Sequence, residues 1–139
     1  MKLDICKLIE LPKIKDIRGN LSFIESLRHV SFDIKRVYYL YDIPAGSERG
    51  GHAHKNLHQL VIALSGSFEI VLSHPKESKR IVLNNPAVGL YICPMIWRTL
   101  ENFSAGAVCL VLASDVFEED DYFRSYEDYQ SECERGKHG

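Results

Sequence analysis

The stretch GHAHKNLHQLVIALSG, Gly51–Gly66, decides how the chain is to be read. Two histidines, His52 and His54, stand one residue apart just before an apolar run. In an extended strand, side chains two apart point to the same face, so both imidazoles face one cavity. Such a pair either holds a metal ion or moves protons near neutral pH. Leu57–Leu64 is apolar and stops at Ser65-Gly66-Ser67. Phe68–Leu72 resumes after that turn, and the two segments predict a hairpin.

Outward from the hairpin the runs stay short and the punctuation frequent. Leu21–Glu25 reads as a strand after the turn Arg18-Gly19-Asn20. Ile34–Tyr41, IKRVYYLY, is rich in β-branched and aromatic residues and ends at Asp42-Ile43-Pro44-Ala45-Gly46. Within it Arg36, Tyr38 and Leu40 share one face, and Val37, Tyr39 and Tyr41 the other. His74–Lys79, with Pro75, reads as a polar turn before a strand at Arg80–Leu83, which closes at Asn84-Asn85-Pro86. Leu90–Cys93 and Ala107–Ala113 complete the set. Strands at this spacing predict an all-β sandwich or small barrel. The end changes character: Tyr122, Phe123, Tyr126 and Tyr129 recur at roughly helical spacing. One or two short helices over about 118–133, packed on the outside of the β body, are the expectation.

Composition narrows the classes further. A chain of 139 residues predicts a single domain over 1–139 that buries a core without staples. Apolar residues at 45% and charged residues at 26% are ordinary for a soluble globular protein. A formal net charge of −2 offers no global field for nucleic acid or a membrane surface. No apolar run is long enough to span a bilayer, and Met1–Glu10 lacks the apolar core and cleavage site of a signal peptide. Cys6, Cys93, Cys109 and Cys133 form no C-x-x-C pair, which reads as free thiols in a reducing cytoplasm. A cytoplasmic location is therefore expected.

The first motif is His52-x-His54-x4-Gln59-x6-Gly66; the second is Gly89-x4-Pro94, then Trp97, then Arg98-x3-Asn102. Spacing and order resemble the two motifs of the cupin superfamily, whose fold is a jelly-roll barrel, the double-stranded β-helix. In that pattern a carboxylate stands where this chain has Gln59, and a third histidine where it has Arg98. An amide oxygen binds a divalent cation far less well than a carboxylate, and a guanidinium has no lone pair to offer. A fixed positive charge beside the histidines also repels a cation, so no metal is expected. His58 could stand in as a ligand only if strand geometry put it on the same face. Arg98 can instead supply cationic charge and N–H donors to an anionic oxygen, and it lowers the proton affinity of neighbouring imidazoles. The alternative is that Arg98 pairs with Glu101 or another surface carboxylate.

Three longer segments sharpen the resemblance: IKRVYYLYDIPAGSERGGHAHKNLHQLVIALSGSFEIVL, NNPAVGLYICPMIW and VLASDVFEEDDYFRSY. They look like the nucleotide-sugar 3,4-ketoisomerases, small cupins acting on dTDP-4-keto-6-deoxyglucose, and the likeness runs from about Asp16 to Tyr129. It implies that the carbonyl moves from C4′ to C3′ through an enediol, by histidine-mediated proton transfer, with no metal and no redox cofactor. It places the base at His54, with His52 assisting as a shuttle to solvent. It implies a dTDP-linked keto-deoxysugar as partner, and a homodimer with N-terminal strands exchanged. The flanking residues suit an anionic sugar nucleotide. Arg49 offers a fork to diphosphate oxygens, Gly50-Gly51 lets backbone approach closely, and Arg36 stands on the inward face with Tyr38. By resemblance Tyr38 lines the cavity; the alternative is a core residue with its hydroxyl satisfied. Gln59 either bonds a sugar hydroxyl or orients an imidazole. Trp97 either stacks on sugar or thymine or caps the core. The family pattern has histidine directly after the tryptophan, so Arg98 leaves the C4′ stereochemistry open. A nucleotide-sugar epimerase using Tyr38 or Tyr91, a non-catalytic binding module and an ordinary metallocupin are the rival readings.

Overall fold

The computed structural model describes residues 2–136. After a single 3-10 turn at Lys2–Ile5 come β1 (Leu8–Glu10), β2 (Lys13–Ile14), β3 (Leu21–Ser22), β4 (Arg36–Leu40), β5 (Arg49–His54) and β6 (Gln59–Ser65). They are followed by β7 (Phe68–His74), β8 (Glu77–Leu83), β9 (Val88–Ile92), β10 (Trp97–Glu101), β11 (Val108–Ala113), β12 (Tyr122–Phe123) and α1 (Tyr126–Gly136). Two antiparallel five-stranded sheets, β1-β9-β6-β11-β4 and β12-β5-β10-β7-β8, form the body, and β2 pairs with β3 apart from them. This is the jelly-roll barrel expected.

Apolar alternation puts Phe68, Ile70 and Leu72 of β7 into the core between the sheets, with Val61, Leu90, Ile92 and Phe103. β6 is buried on both faces. Val61 and Ala63 face the inner core, while Leu60 and Ile62 pack outward under Leu11, Val30 and Phe32. That double burial is why Leu60–Leu64 reads as a continuous apolar run without alternation. At the end of β6, Gly66 turns the chain at φ +65°. A Cβ there would lie 2.5 Å from Ser104 Oγ and 2.9 Å from Ala107 Cα, so only glycine fits both the backbone and the space.

Three segments differ from the sequence reading. The turn expected over His74–Lys79 is only Pro75-Lys76, because β7 and β8 pair out to His74↔Glu77. β8 is an edge strand whose Ser78, Lys79 and Arg80 are exposed, and charge on a sheet edge hides the strand pattern. The strand expected over Leu21–Glu25 is the two-residue β3. The expected helical tail divides into a 3-10 turn at Glu119–Asp121, then β12, then α1, which starts eight residues later than anticipated. Tyr122 and Phe123 are held instead by pairing with His54 and Ala53 of β5. Ser125 caps α1, its Oγ accepting from Asp128 N–H at 3.4 Å. Tyr129 and Cys133, one turn apart, bury the helix against Ala53, Met95, Trp97 and Phe123. The Tyr129 hydroxyl donates to Met95 O at 2.9 Å, tying the helix to the barrel. Among the described residues no helix is long and apolar enough to cross a membrane.

Candidate active site

A β-bulge builds the site. β5 and β10 pair as Arg49↔Leu100, Gly50↔Thr99 and His52↔Arg98, so Gly51 is an extra residue on β5. Gly50 and Gly51 both take positive φ, +102° and +77°. A Cβ on Gly50 would lie 3.2 Å from Arg98 O and from Thr99 Cα. Gly50 thus lets β5 approach β10 closely while it also lines the cavity. Arg49 and His52 are three apart and would point oppositely in a regular strand. The extra residue brings both onto the inward face, with Arg98 and Leu100 opposite them.

That face opens into a cavity of about 390 Å³, lined by Arg36, Tyr38, Leu40, Arg49, Gly50, His52, Leu100, Val111, Phe117, Tyr122 and Arg124. Its floor is a narrower recess lined by Tyr38, His52, Gln59, Val61, Ile92, Arg98, Leu100 and Val111. The alternation expected in β4 holds: Arg36, Tyr38 and Leu40 face the cavity, while Val37 and Tyr39 are exposed. Four arginines converge here. Arg36 lies over the rings of Tyr38 and Phe117, at 5.2 and 5.7 Å, and its buried Nε has no hydrogen-bond partner among the described residues. Arg124 sits over Tyr122 at 4.3 Å while its guanidinium pairs with Glu119 at 2.6 and 2.9 Å.

The two histidines form one unit, ring centroids 4.9 Å apart and nearly perpendicular. His52 lines the cavity; His54 is fully buried behind it, 4.3 Å from the Tyr122 ring. The Asp121 carboxylate lies 3.1 Å from His54 Nδ1 and also accepts from Asn56 N–H at 2.8 Å. Burial, then the charge of Arg98, hold the His54 pKa down at about 2. The ring is neutral, so Nδ1–H donates to Asp121 and the pair is a fixed tautomer rather than an ion pair. His54 Nε2 is left without a hydrogen-bond partner among the described residues. His52 is likewise lowered, to about 3, first by burial and then by Arg98 and Arg124.

Arg98 is buried at 3% exposure and, among the described residues, pairs with neither Glu101 nor any surface carboxylate. Its guanidinium donates to Gln59 Oε1 and to Ile96 O, the latter at 3.1 and 3.2 Å. Gln59 in turn donates through Nε2 to the Tyr38 hydroxyl at 2.9 Å. Gln59 therefore spends both ends of its amide on protein and orients neither imidazole. The Tyr38 hydroxyl accepts from Gln59 and keeps its own proton to donate. Burial raises its pKa, so it stays protonated.

The depressed histidines predict acid sensitivity. Below about 6.5 an unfolded chain protonates these rings, whereas the native rings stay neutral down to about 3 and 2. The unfolded state then binds more protons, and stability falls as pH drops, by up to about 1.4 kcal/mol per pH unit for each ring. The urea midpoint is expected to fall from pH 7 to pH 5, with a shallower slope in His52→Asn. Equal slopes would show that the rings titrate normally.

Trp97 is a correction. Its neighbour Arg98 points inward, so Trp97 points outward, against Tyr126 and Tyr129 at 5.3 and 5.8 Å. It caps a side cluster and does not line the cavity. His58 faces away from the histidine pair, its Nδ1 2.6 Å from the Tyr91 hydroxyl. Phe117, Asp121, Tyr122 and Arg124 escape sequence reasoning, since their segment reads as a short helix packed on the outside of the β body. On the far side of Asp121 is an acidic cleft of about 290 Å³, bordered by Asn56, Ser114, Asp115, Glu118 and Asp120.

Comparison with known proteins bears on this site. Residues 4–134 match the family described as FdtA: WxcM-like, C-terminal. The chain is 43% identical over 124 residues, 89% of each sequence, to the TDP-4-oxo-6-deoxy-alpha-D-glucose-3,4-oxoisomerase of Aneurinibacillus thermoaerophilus. It superposes on the sugar 3,4-ketoisomerase QdtA of Thermoanaerobacterium thermosaccharolyticum in complex with TDP. The TM-score is 0.92 at 46% identity, covering 94% of this chain and 96% of that one. A histidine-to-asparagine variant of QdtA holding TDP-4-keto-6-deoxyglucose superposes with a TM-score of 0.91 at 45% identity, over 94% of both chains.

Proposed function

The chain belongs to the FdtA family (WxcM-like, C-terminal) of nucleotide-sugar 3,4-ketoisomerases, and from that premise we propose that it moves the carbonyl of TDP-4-keto-6-deoxyglucose from C4′ to C3′ by metal-free proton transfer. The observation that carries the mechanism is His52, a neutral imidazole on the cavity wall directly opposite Arg98. His52 takes the C3′ proton. The Tyr38 hydroxyl and the Arg98 charge stabilise the oxygen that becomes negative, inside a cavity where such charge acts strongly. His52 exchanges that proton with solvent and returns a solvent-derived proton to C4′, while the O3′ hydroxyl proton passes to O4′, so the enediol collapses to the 3-keto sugar with every proton accounted for. His54, held by Asp121 with its Nε2 lone pair unshared, is the next station for the proton, and the acidic cleft behind Asp121 connects it to solvent. The donor set supports chemistry without a divalent ion: Gln59 Oε1 is engaged by Arg98, whose fixed charge stands where a third imidazole would be needed.

Product NMR after incubating the protein with TDP-4-keto-6-deoxyglucose in deuterated water tests this reading. Deuterium at C4′ of a 3-keto product is expected. Retention of the C3′ hydrogen would leave a binding module, and inversion at C3′ or C5′ without carbonyl movement would make it an epimerase. Arg49, exposed at the cavity mouth, is the diphosphate anchor. Arg49→Ala is expected to weaken TDP binding roughly ten-fold, the worth of one charge-assisted contact, with little change in kcat. Calorimetry showing an unchanged Kd would remove Arg49 from that role. A homodimer is part of the proposal. β4 is a sheet edge, and Val37, Tyr39 and Tyr41 on its outer face are 54%, 59% and 62% exposed, an apolar stripe that a second copy would cover. Sedimentation is expected to give twice the chain mass, and the monomer mass for Tyr39→Glu.

A further inference from the structure

Cys6 and Cys93 are 87 residues apart in sequence, yet their sulfurs lie 3.8 Å from each other inside the protein. Their exposures are 1% and 4%. The β1–β9 ladder brings them together: Leu8 pairs with Leu90, and Tyr91 N–H donates to Lys7 O at 2.8 Å, so Cys6 continues the ladder beside Ile92 and Cys93. A disulfide needs sulfurs about 2.0 Å apart, a gap that side-chain rotation and a small strand shift can close.

We propose that this thiol pair is a redox-modification site, which hydrogen peroxide converts to a disulfide joining the N-terminal segment to the end of β9. Cys93 is the nucleophile. The two sulfurs share a hydrogen bond, and accepting it, together with the positive field of Lys2 and Arg98, lowers the Cys93 pKa below the ordinary thiol range. Burial raises Cys109 to about 12, so it stays a thiol. The Cys93 thiolate attacks one peroxide oxygen, breaks the O–O bond and releases hydroxide, leaving a sulfenic acid. Cys6 then attacks that sulfur, the S–O bond breaks, and the Cys6 proton leaves with the oxygen as water. Two thiols and one peroxide give one disulfide and two waters. Access comes through the single turn at Lys2–Ile5, anchored by buried Leu3 and by Leu3 N–H to Glu77 at 2.8 Å. One turn on so few anchors opens locally far more often than the barrel unfolds.

The test exposes the folded protein to hydrogen peroxide, quenches it with catalase, and titrates thiols in denaturant. A fall from four thiols to two is expected, with a Cys6–Cys93 cross-linked peptide by mass spectrometry and recovery of all four after dithiothreitol. The guanidinium midpoint of the oxidised protein is expected to rise, and Cys6→Ser to show neither the cross-link nor the rise. Four thiols retained, a sulfinic acid at Cys93 without a cross-link, or cross-links through Cys109 or between chains would each overturn the proposal. The wild-type thiol count and peptide map decide the matter even if Cys6→Ser does not fold.

Discussion

Replacing His52 by asparagine is expected to lower kcat by about 10²- to 10⁴-fold, the worth of one positioned general base, while TDP still binds. Asparagine keeps the polarity and much of the volume of the ring, so the cavity and its arginines survive; what is lost is the lone pair facing the sugar. The comparison with His54→Asn gives the prediction its edge. The family likeness alone puts the base at His54, but the geometry seats that ring behind His52, fully buried and tied to Asp121. His54→Asn is expected to slow solvent exchange of the transferred proton and to reduce turnover less than His52→Asn does. Near-wild-type turnover in His52→Asn, with turnover lost in His54→Asn, would return the base to His54.

Gly66→Val is expected to cost about 2–5 kcal/mol of stability, combining a left-handed backbone forced on a β-branched residue with overpacking against Ser104 and Ala107. Urea unfolding checks it. That is a large share of the roughly 5–15 kcal/mol that holds a domain together, so much of the variant should be unfolded at 37 °C. A loss under about 1 kcal/mol would mean that the β6–β7 turn relaxes freely, at odds with its tight seat against the loop before β11.

The inward face of β4 and the shared face of His52 and His54 are legible in sequence because side-chain direction in a strand repeats every two residues, and nothing interrupts either stretch. The orientation of Trp97 is not legible in the same way. It depends on recognising Trp97–Glu101 as a strand, and this segment follows Pro94 with only Trp97 and Leu100 to suggest a pattern. Once that strand exists, Arg98 inward forces Trp97 outward. Asp121 and Tyr122 are hidden for another reason. β12 is two residues long and owes its existence to pairing with β5, almost seventy residues earlier, so no local periodicity can signal it. The buried link from Arg98 through Gln59 to Tyr38 joins three separate strands; the sequence shows two substituted positions, and only the fold shows that they are hydrogen-bonded to each other.

The doubled glycine before the histidines carries a constraint on any relative or redesign. Whether a strand residue belongs to the interior or the surface is a question of odd or even count, and the surplus residue at Gly51 resets that count once. Delete it and the ladder closes without a kink: Arg49 and His52 then stand two apart and still share the inner face by ordinary alternation, so what the surplus residue supplies is the bend between them. The bulge therefore shapes the path of the strand rather than its polarity, bending the backbone that runs from Arg49 to the histidines.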